Sequence, residues 1–268
     1  MRDVPLPGGG TMVRVAPGET PLVLAIPHTG THVPEDVWAD LNRTGRALTD
    51  ADWRVEALYD GLAPGAATVR MCVHRYVIDC NRPPDGASLY PGRATTDLVP
   101  LTDFDGRPIW SRPPDAAEVS RRRAAFHAPY HAALASILDA AVARHGHAVL
   151  WDCHSIRSVI PRLFEGTLPG LNLGTDGGAT ADPALERLVA GAMAASPFSW
   201  VVNGRFRGGW TTRHHGARAD VHALQMEVAQ SAYLAAEAPP WTLDGAKADA
   251  LRAILAPILA ALTDWRPA

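Results

Sequence analysis

Apolar residues follow two rhythms along this chain, one strand-like and one helical, and the rhythm changes where turn-forming residues cluster. The stretch PLVLAIP at 21–27 is apolar throughout and bounded by such residues, which predicts a short buried strand with His28 just past its end. From 51 to 62, ADWRVEALYDGL carries Val55, Leu58, Tyr59 and Leu62 at helical spacing, with Asp50 or Asp52 placed at the amino end. ATVRMCVHRYVIDCN then offers one or two β-rich runs that end at Asn81-Arg82. Residues 83–113, rich in Pro, Gly, Asp and Thr, predict a long ordered loop of the kind that carries function.

A long helical pattern covers about 115–145, kinked or broken at Pro129 and stopped at Gly146. It leads into a strand, AVLWDC, and a loop over 156–182. A helix near 183–195, a strand FSWVVNG, a Gly- and Arg-rich segment RFRGGWTTRHHGAR, a strand VHALQMEV and a closing helix near 245–263 complete the chain. Strands alternating with helices predict an α/β layer architecture around a largely buried central sheet. With no internal repeat and no linker, residues 1–268 are expected to form a single domain.

Composition narrows the partners. The formal charge of −3 provides no field for nucleic acid, and the RRR run at 121–123 reads as a solvated helix face. The start, MRDVPLPGGG, lacks the pattern of a signal peptide, and Arg252 and Pro257 interrupt the apolar stretch LRAILAPILAAL, so a cytoplasmic location without membrane contact is expected. Cys72, Cys80 and Cys153 lack the spacing of a disulfide framework or a thiolate zinc site. A metal, if bound, would need histidines and carboxylates. Lys247 is the only lysine, so the abundance of arginine is a matter of composition, and each arginine has to be argued from its surroundings.

In open α/β sheets ligands bind beyond the carboxyl ends of strands. Four polar groups occupy such positions: His28, Asn81-Arg82, His154 and Glu227. The stretch WDCHS poses a choice, because Cys153 could be a nucleophile beside His154, or His154 could be a metal ligand. In QMEV, Gln225 and Glu227 share one strand face while Met226 and Val228 take the other.

The blocks IPHTGTHVP, LTDADWRVEALY, HRYVIDCNRPPDGASLYPG, RRRAAFHAPYH, LWDCHSIRSVIPRLFEG, LNLGTD, NGRFRGGWTTRHHG and VHALQMEVAQSAY together resemble the N-formylglutamate amidohydrolases, the deformylases of histidine degradation. The resemblance implies a three-layer α/β/α fold with a mixed central sheet of the zinc-carboxypeptidase, phosphorylase/hydrolase-like kind. It makes His28 and His154 metal ligands and Glu227 the catalytic base, with Asn81 and Arg82 holding a substrate carboxylate. Relatives in that fold take their acidic ligand from His-x-x-Glu. Here His28-Thr29-Gly30-Thr31 has no acid at that spacing, so Asp52 is assigned the role, ahead of Asp50 and Glu35.

Two histidines and one carboxylate leave a position open, the pattern of a catalytic zinc, so one Zn2+ or other divalent ion per chain is expected. On this reading Cys153, one residue back on an alternating strand, points away from the site, and Asp152 is a supporting acid. The second substrate carboxylate is assigned to Arg213 and His214, ahead of Arg205, Arg207, Arg157 and Arg162. Gly208-Gly209 marks a close backbone approach or a hairpin. The implied reaction is metal-dependent hydrolysis of N-formyl-L-glutamate to formate and L-glutamate. The alternatives are a deacylase of another N-acyl amino acid, or a non-catalytic binder of acidic amino-acid derivatives. The expected partner is therefore a small-molecule N-formyl amino acid, and the oligomeric state stays open.

Overall fold

Strands β1 (Val4–Pro5), β2 (Thr11–Ala16), β3 (Leu22–Ile26), β4 (Ala67–Met71), β5 (Ala148–Ile156), β6 (Leu171–Gly174), β7 (Trp200–Val202) and β8 (Val221–Ala229) form one sheet in the computed structural model, which describes residues 3–267 other than 7, 8, 90, 91 and 93. Tyr90 and Pro91 of the HRYVIDCNRPPDGASLYPG block thus lie outside the described residues. The strand order is β1-β2-β4-β3-β5-β8-β6-β7. The central four, β4, β3, β5 and β8, are parallel, and β2 and β6 pair antiparallel on either side of them. Every residue of β3 and β5 is buried. Parallel strands covered on both faces favour apolar runs, and the run LVLAI of β3 and the opening AVLW of β5 made both legible.

The helices are α1 (Glu35–Asp40), α2 (Arg43–Arg46), α3 (Val55–Tyr59), α4 (Ala116–Arg122), α5 (Ala128–His145), α6 (Pro183–Ala194), α7 (Trp210–Gly216) and α8 (Gly245–Asp264). On one face of the sheet Tyr130, Leu134 and Leu138 of α5 pack with Val23, Ala25, Ala148 and Leu150. On the other, α3, α6 and α8 pack with Leu22, Leu24, Val149, Trp151 and Cys153. The three-layer α/β/α arrangement with a mixed sheet is therefore as expected.

Four local expectations change. First, the YVID run is not a strand: beyond β4 the chain makes turns that bury His74, Arg75, Asp79 and Asn81, polar residues that a ladder would have alternated outward. Second, α3 begins only at Val55, because Asp52 turns its side chain inward instead of capping; Arg54 precedes the helix in a left-handed conformation, φ 65°. Third, the helix over 116–145 does not break at Pro129. A π-helical turn at Arg123–His127, with the Ala128 N–H reaching back to the Arg123 carbonyl, absorbs the ring that would clash in a regular turn. Fourth, the span read as loop 156–182 contains β6, paired with β8. Gly146 does stop α5, with φ 79°.

Candidate active site

The carboxyl ends of β3, β5 and β8 open into a narrow cleft of about 60 Å3. His28 enters it just beyond β3. His154 comes from within β5, and Glu227 sits opposite it in register on β8. Asp52 arrives from the turn before α3, where its backbone N–H donates to the His28 carbonyl. Asn81 and Arg82 follow the buried turns after β4. Six residues from five separate stretches thus meet at one rim.

Among the described residues, His28, Asp52 and His154 are the group of His, Cys, Asp or Glu side chains whose ligand atoms all fall within 4.8 Å of one another. His28 Nδ1 lies 3.2 Å from His154 Nδ1 and 3.8 Å from Asp52 Oδ2, and His154 Nδ1 lies 3.2 Å from the same oxygen. Ligand atoms around a tetrahedral zinc stand about 3.3 Å apart, so the spacing suits such an ion. The opposite edges of the rings point to acids. His28 Nε2 is 2.7 Å from Asp79 Oδ1, and His154 Nε2 is 3.0 Å from Asp152 Oδ1. Carboxylates behind ligand imidazoles are the usual means of orienting them.

Charge supports the same fit. Asp52, Asp79, Asp152 and Glu227 are all buried around this point. Arg75 answers part of that charge, with Nη2 2.5 Å from Asp52 Oδ1 and Nη1 4.0 Å from Asp79 Oδ2. Burial opposes the charged forms of Asp52 and Asp79, but Arg75 beside Asp52, and His28 and Arg82 beside Asp79, hold both below the usual carboxylate range. Burial likewise opposes protonation of His154, yet Asp152 and Asp52 hold it well above the usual imidazole range. His28 shifts the other way, pushed down by burial and by Arg75. The cluster favours positive charge at its centre, and a divalent cation fits its donors.

Glu227 is pushed up to about 8 by burial, and Asp52 and Asp152 add to the effect while His154 and Arg75 oppose it. Its Oε2 accepts from Gln225 Nε2 at 3.3 Å. Asn81 Nδ2 sits 3.2 Å from His154 Nε2, and Asn81 Oδ1 takes the Thr211 N–H. Arg82 donates to the Thr96 carbonyl and hydroxyl and also lines the cleft.

The second-carboxylate assignment is not supported by placement. Arg213 pairs with Asp176 and donates to the Gly208 carbonyl, and His214 is exposed and stacked on Trp210; neither lines the cleft. Both stand on the last turn of α7, which starts at Trp210, and Arg213 also donates to the carbonyl of Leu89, itself a lining residue. Arg205 lines the cleft instead, braced by the Leu163 and Ala94 carbonyls. Arg157 pairs with Asp105, while Arg162 and Arg207 lie exposed. Asp50 accepts from the Tyr76 hydroxyl and the Phe104 N–H outside the cluster, and Glu35 is exposed on α1.

Cys153 is fully buried in the apolar layer under α3, α6 and α8, and burial drives its thiol well above the usual range. That environment is inert. Gly208-Gly209 is a close approach: a Cβ on Gly209 would stand 2.2 Å from Asn81 Nδ2. Asp79 and Arg75 were missed from the sequence. A buried Asp and Arg inside the HRYVIDC run, where a strand would expose alternate residues, was the available signal.

The fold and this cleft define a hydrolase of the carboxypeptidase-like α/β/α class. The chain belongs to the N-formylglutamate amidohydrolase family, whose model matches residues 20–234. It is 46% identical over 253 residues to the N-formylglutamate deformylase of Pseudomonas aeruginosa, covering 92% of this chain and 94% of that one. The Pseudomonas putida N-formylglutamate deformylase is 43% identical over the same shares. Among solved structures, N-formylglutamate amidohydrolase from Ralstonia eutropha JMP134 superposes with a TM-score of 0.79 at 25% identity, covering 94% of this chain and 97% of that one. A protein from Agrobacterium tumefaciens shares the fold at a TM-score of 0.70 and 18% identity, over 94% and 95% of the two chains.

Proposed function

We propose that this chain hydrolyses the formyl amide of N-formyl-L-glutamate to formate and L-glutamate, using a divalent metal ion, zinc by its donors, held by His28 Nδ1, Asp52 Oδ2 and His154 Nδ1. The observation that carries the reading is the convergence of those three atoms, each ring backed by a buried aspartate, beside a buried glutamate in the one cleft. Bound there, the ion would supply Lewis acidity, polarising the formyl carbonyl and acidifying water.

The protein groups do the rest. Glu227 takes a proton from the water whose oxygen bonds to the formyl carbon, and gives a proton to the amine nitrogen as the C–N bond breaks. Burial raises its pKa above the ordinary carboxylate range, which favours holding the proton between its uptake from water and its delivery to nitrogen. Asn81 and Arg82 hold one carboxylate, and Arg205 takes the second in place of Arg213 and His214; a guanidinium fork matches either group. Phe104, Leu163 and Phe206 line the cleft around them and limit water.

Release of formate and glutamate from N-formylglutamate, followed beside N-acetylglutamate and N-formylmethionine, tests this reading. Fastest turnover of N-formylglutamate supports it. Tight binding without product would favour the binder, and preference for another acyl group would favour the related deacylase. The reading carries with it a role in histidine degradation in the cytoplasm. Loss of growth on histidine, with N-formylglutamate accumulating when the coding sequence is deleted, would support that role. Among the described residues no helix is long and apolar enough to cross a membrane.

A further inference from the structure

We infer that Gln225 is a positioning residue that fixes which oxygen of Glu227 meets the substrate, an inference that rests on Glu227 acting as the base. Gln225 and Glu227 stand two apart on β8 and so share a face, and both line the cleft. Gln225 is only 3% exposed, so both ends of its amide need partners inside the protein. Its Oε1 accepts the Gly209 N–H at 2.8 Å. A backbone N–H can only donate, so that contact fixes the amide the right way round and turns the NH2 group toward Glu227 Oε2, 3.3 Å away.

The anchor depends on a backbone that comes unusually close. Gly208 has φ 115°, and a Cβ on Gly209 would stand 2.2 Å from Asn81 Nδ2. The same turn presents the Thr211 N–H to Asn81 Oδ1. One short segment therefore moors two side-chain amides, one against His154 and one against Glu227. With Oε2 engaged by Gln225, Oε1 is the oxygen of Glu227 that accepts and returns the proton. Gln225 touches no reacting atom in this account; it acts through Glu227.

The test is steady-state kinetics of the metal-loaded full chain on N-formylglutamate, with four variants. Q225M keeps the side-chain length and loses both hydrogen bonds, and should lower kcat about tenfold while KM stays within twofold. Q225E keeps an oxygen for Gly209 but has no NH2 for Glu227, and should fall at least as far, which also gives a readout if Q225M fails to fold. E227Q should be slow, and adding Q225M to it should lower kcat less than twofold further, since the group that Gln225 serves is already gone. Independent, multiplying losses in the double variant would overturn the inference, as would a Q225M or Q225E enzyme at the parental rate. An E227Q enzyme at the parental rate would overturn the base assignment and this inference with it. A slow E227Q beside a fast Q225M overturns this inference alone.

Discussion

Arg75 Nη2 lies 2.5 Å from Asp52 Oδ1, which leaves Oδ2 of that carboxylate to face His28 and His154. One oxygen is held by a fixed cation and the other is directed at the cluster. Asp50, two residues earlier, is buried too, but the Tyr76 hydroxyl and the Phe104 N–H occupy it, and burial pushes it up to about 6. Asp52→Ala should therefore reduce bound metal to a small fraction of the parent, measured by elemental analysis after desalting. Asp50→Asn and Glu35→Ala should bind metal to within twofold of the parent. An empty site in Asp50→Asn with a full one in Asp52→Ala would reverse the assignment.

Cys153 stands in the layer beneath the sheet, one residue from His154 and on the opposite face of β5. Cys153→Ala should keep kcat within about threefold of the parent, because no covalent step passes through the thiol. A loss of about a thousandfold with metal content intact would be the scale of a missing nucleophile and would restore the alternative reading of WDCHS.

The rim was legible in the sequence to the extent that it sits at strand ends. β3, β5 and β8 are long apolar or alternating runs, and each delivers its residue, His28, His154 and Glu227, to the same cleft. Asp52 was harder, because its helical context suggested a cap. Its partners, His154 and Arg75, are 102 and 23 residues away in the chain, and no local pattern encodes those contacts. Short or edge elements escaped for a related reason. β1 and β2 gain their pairing from each other and from β4, and β6 is four residues long, so long-range pairing decides them. Which arginine of RFRGGWTTRHHGAR faces the cleft depends on where α7 starts, which composition does not reveal.

That placement separates two arginines. Arg205→Ala should raise KM for N-formylglutamate at least tenfold and leave KM for N-formylmethionine within threefold, since only the first substrate has a side-chain carboxylate. Arg213→Ala, which breaks the contact with Asp176 and removes a side chain that does not line the cleft, should change neither KM by more than threefold. Equal effects of Arg205→Ala on both substrates would remove it from the carboxylate site.

Acid stability offers a check on the layer behind Asn81. His215 Nε2 lies 3.1 Å from His131 Nδ1, and His131 Nε2 lies 2.8 Å from the Cys80 carbonyl, so His131 donates to that carbonyl and accepts from His215. Burial, with His214 and Arg218 adding to it, lowers His215 to about 3. Between about pH 6.5 and 3 the unfolded chain binds a proton at this residue and the folded chain does not, so its contribution to stability is complete above pH 6.5 and lost as pH falls. His215→Gln can still donate to His131 but does not titrate. Urea unfolding should show the variant losing less stability than the parent from pH 7 to 5, by up to ~1.4 kcal/mol per pH unit. Parallel losses would mean that His215 already takes up its proton in the folded protein.

Metal content measured together with turnover of N-formylglutamate tests the central claim most directly. The protein purified without chelator should carry about one zinc, or one equivalent of another divalent ion, per chain; dialysis against a chelator should abolish formate release, and adding the ion back should restore it. A metal-free protein that releases formate at the full rate would contradict the account.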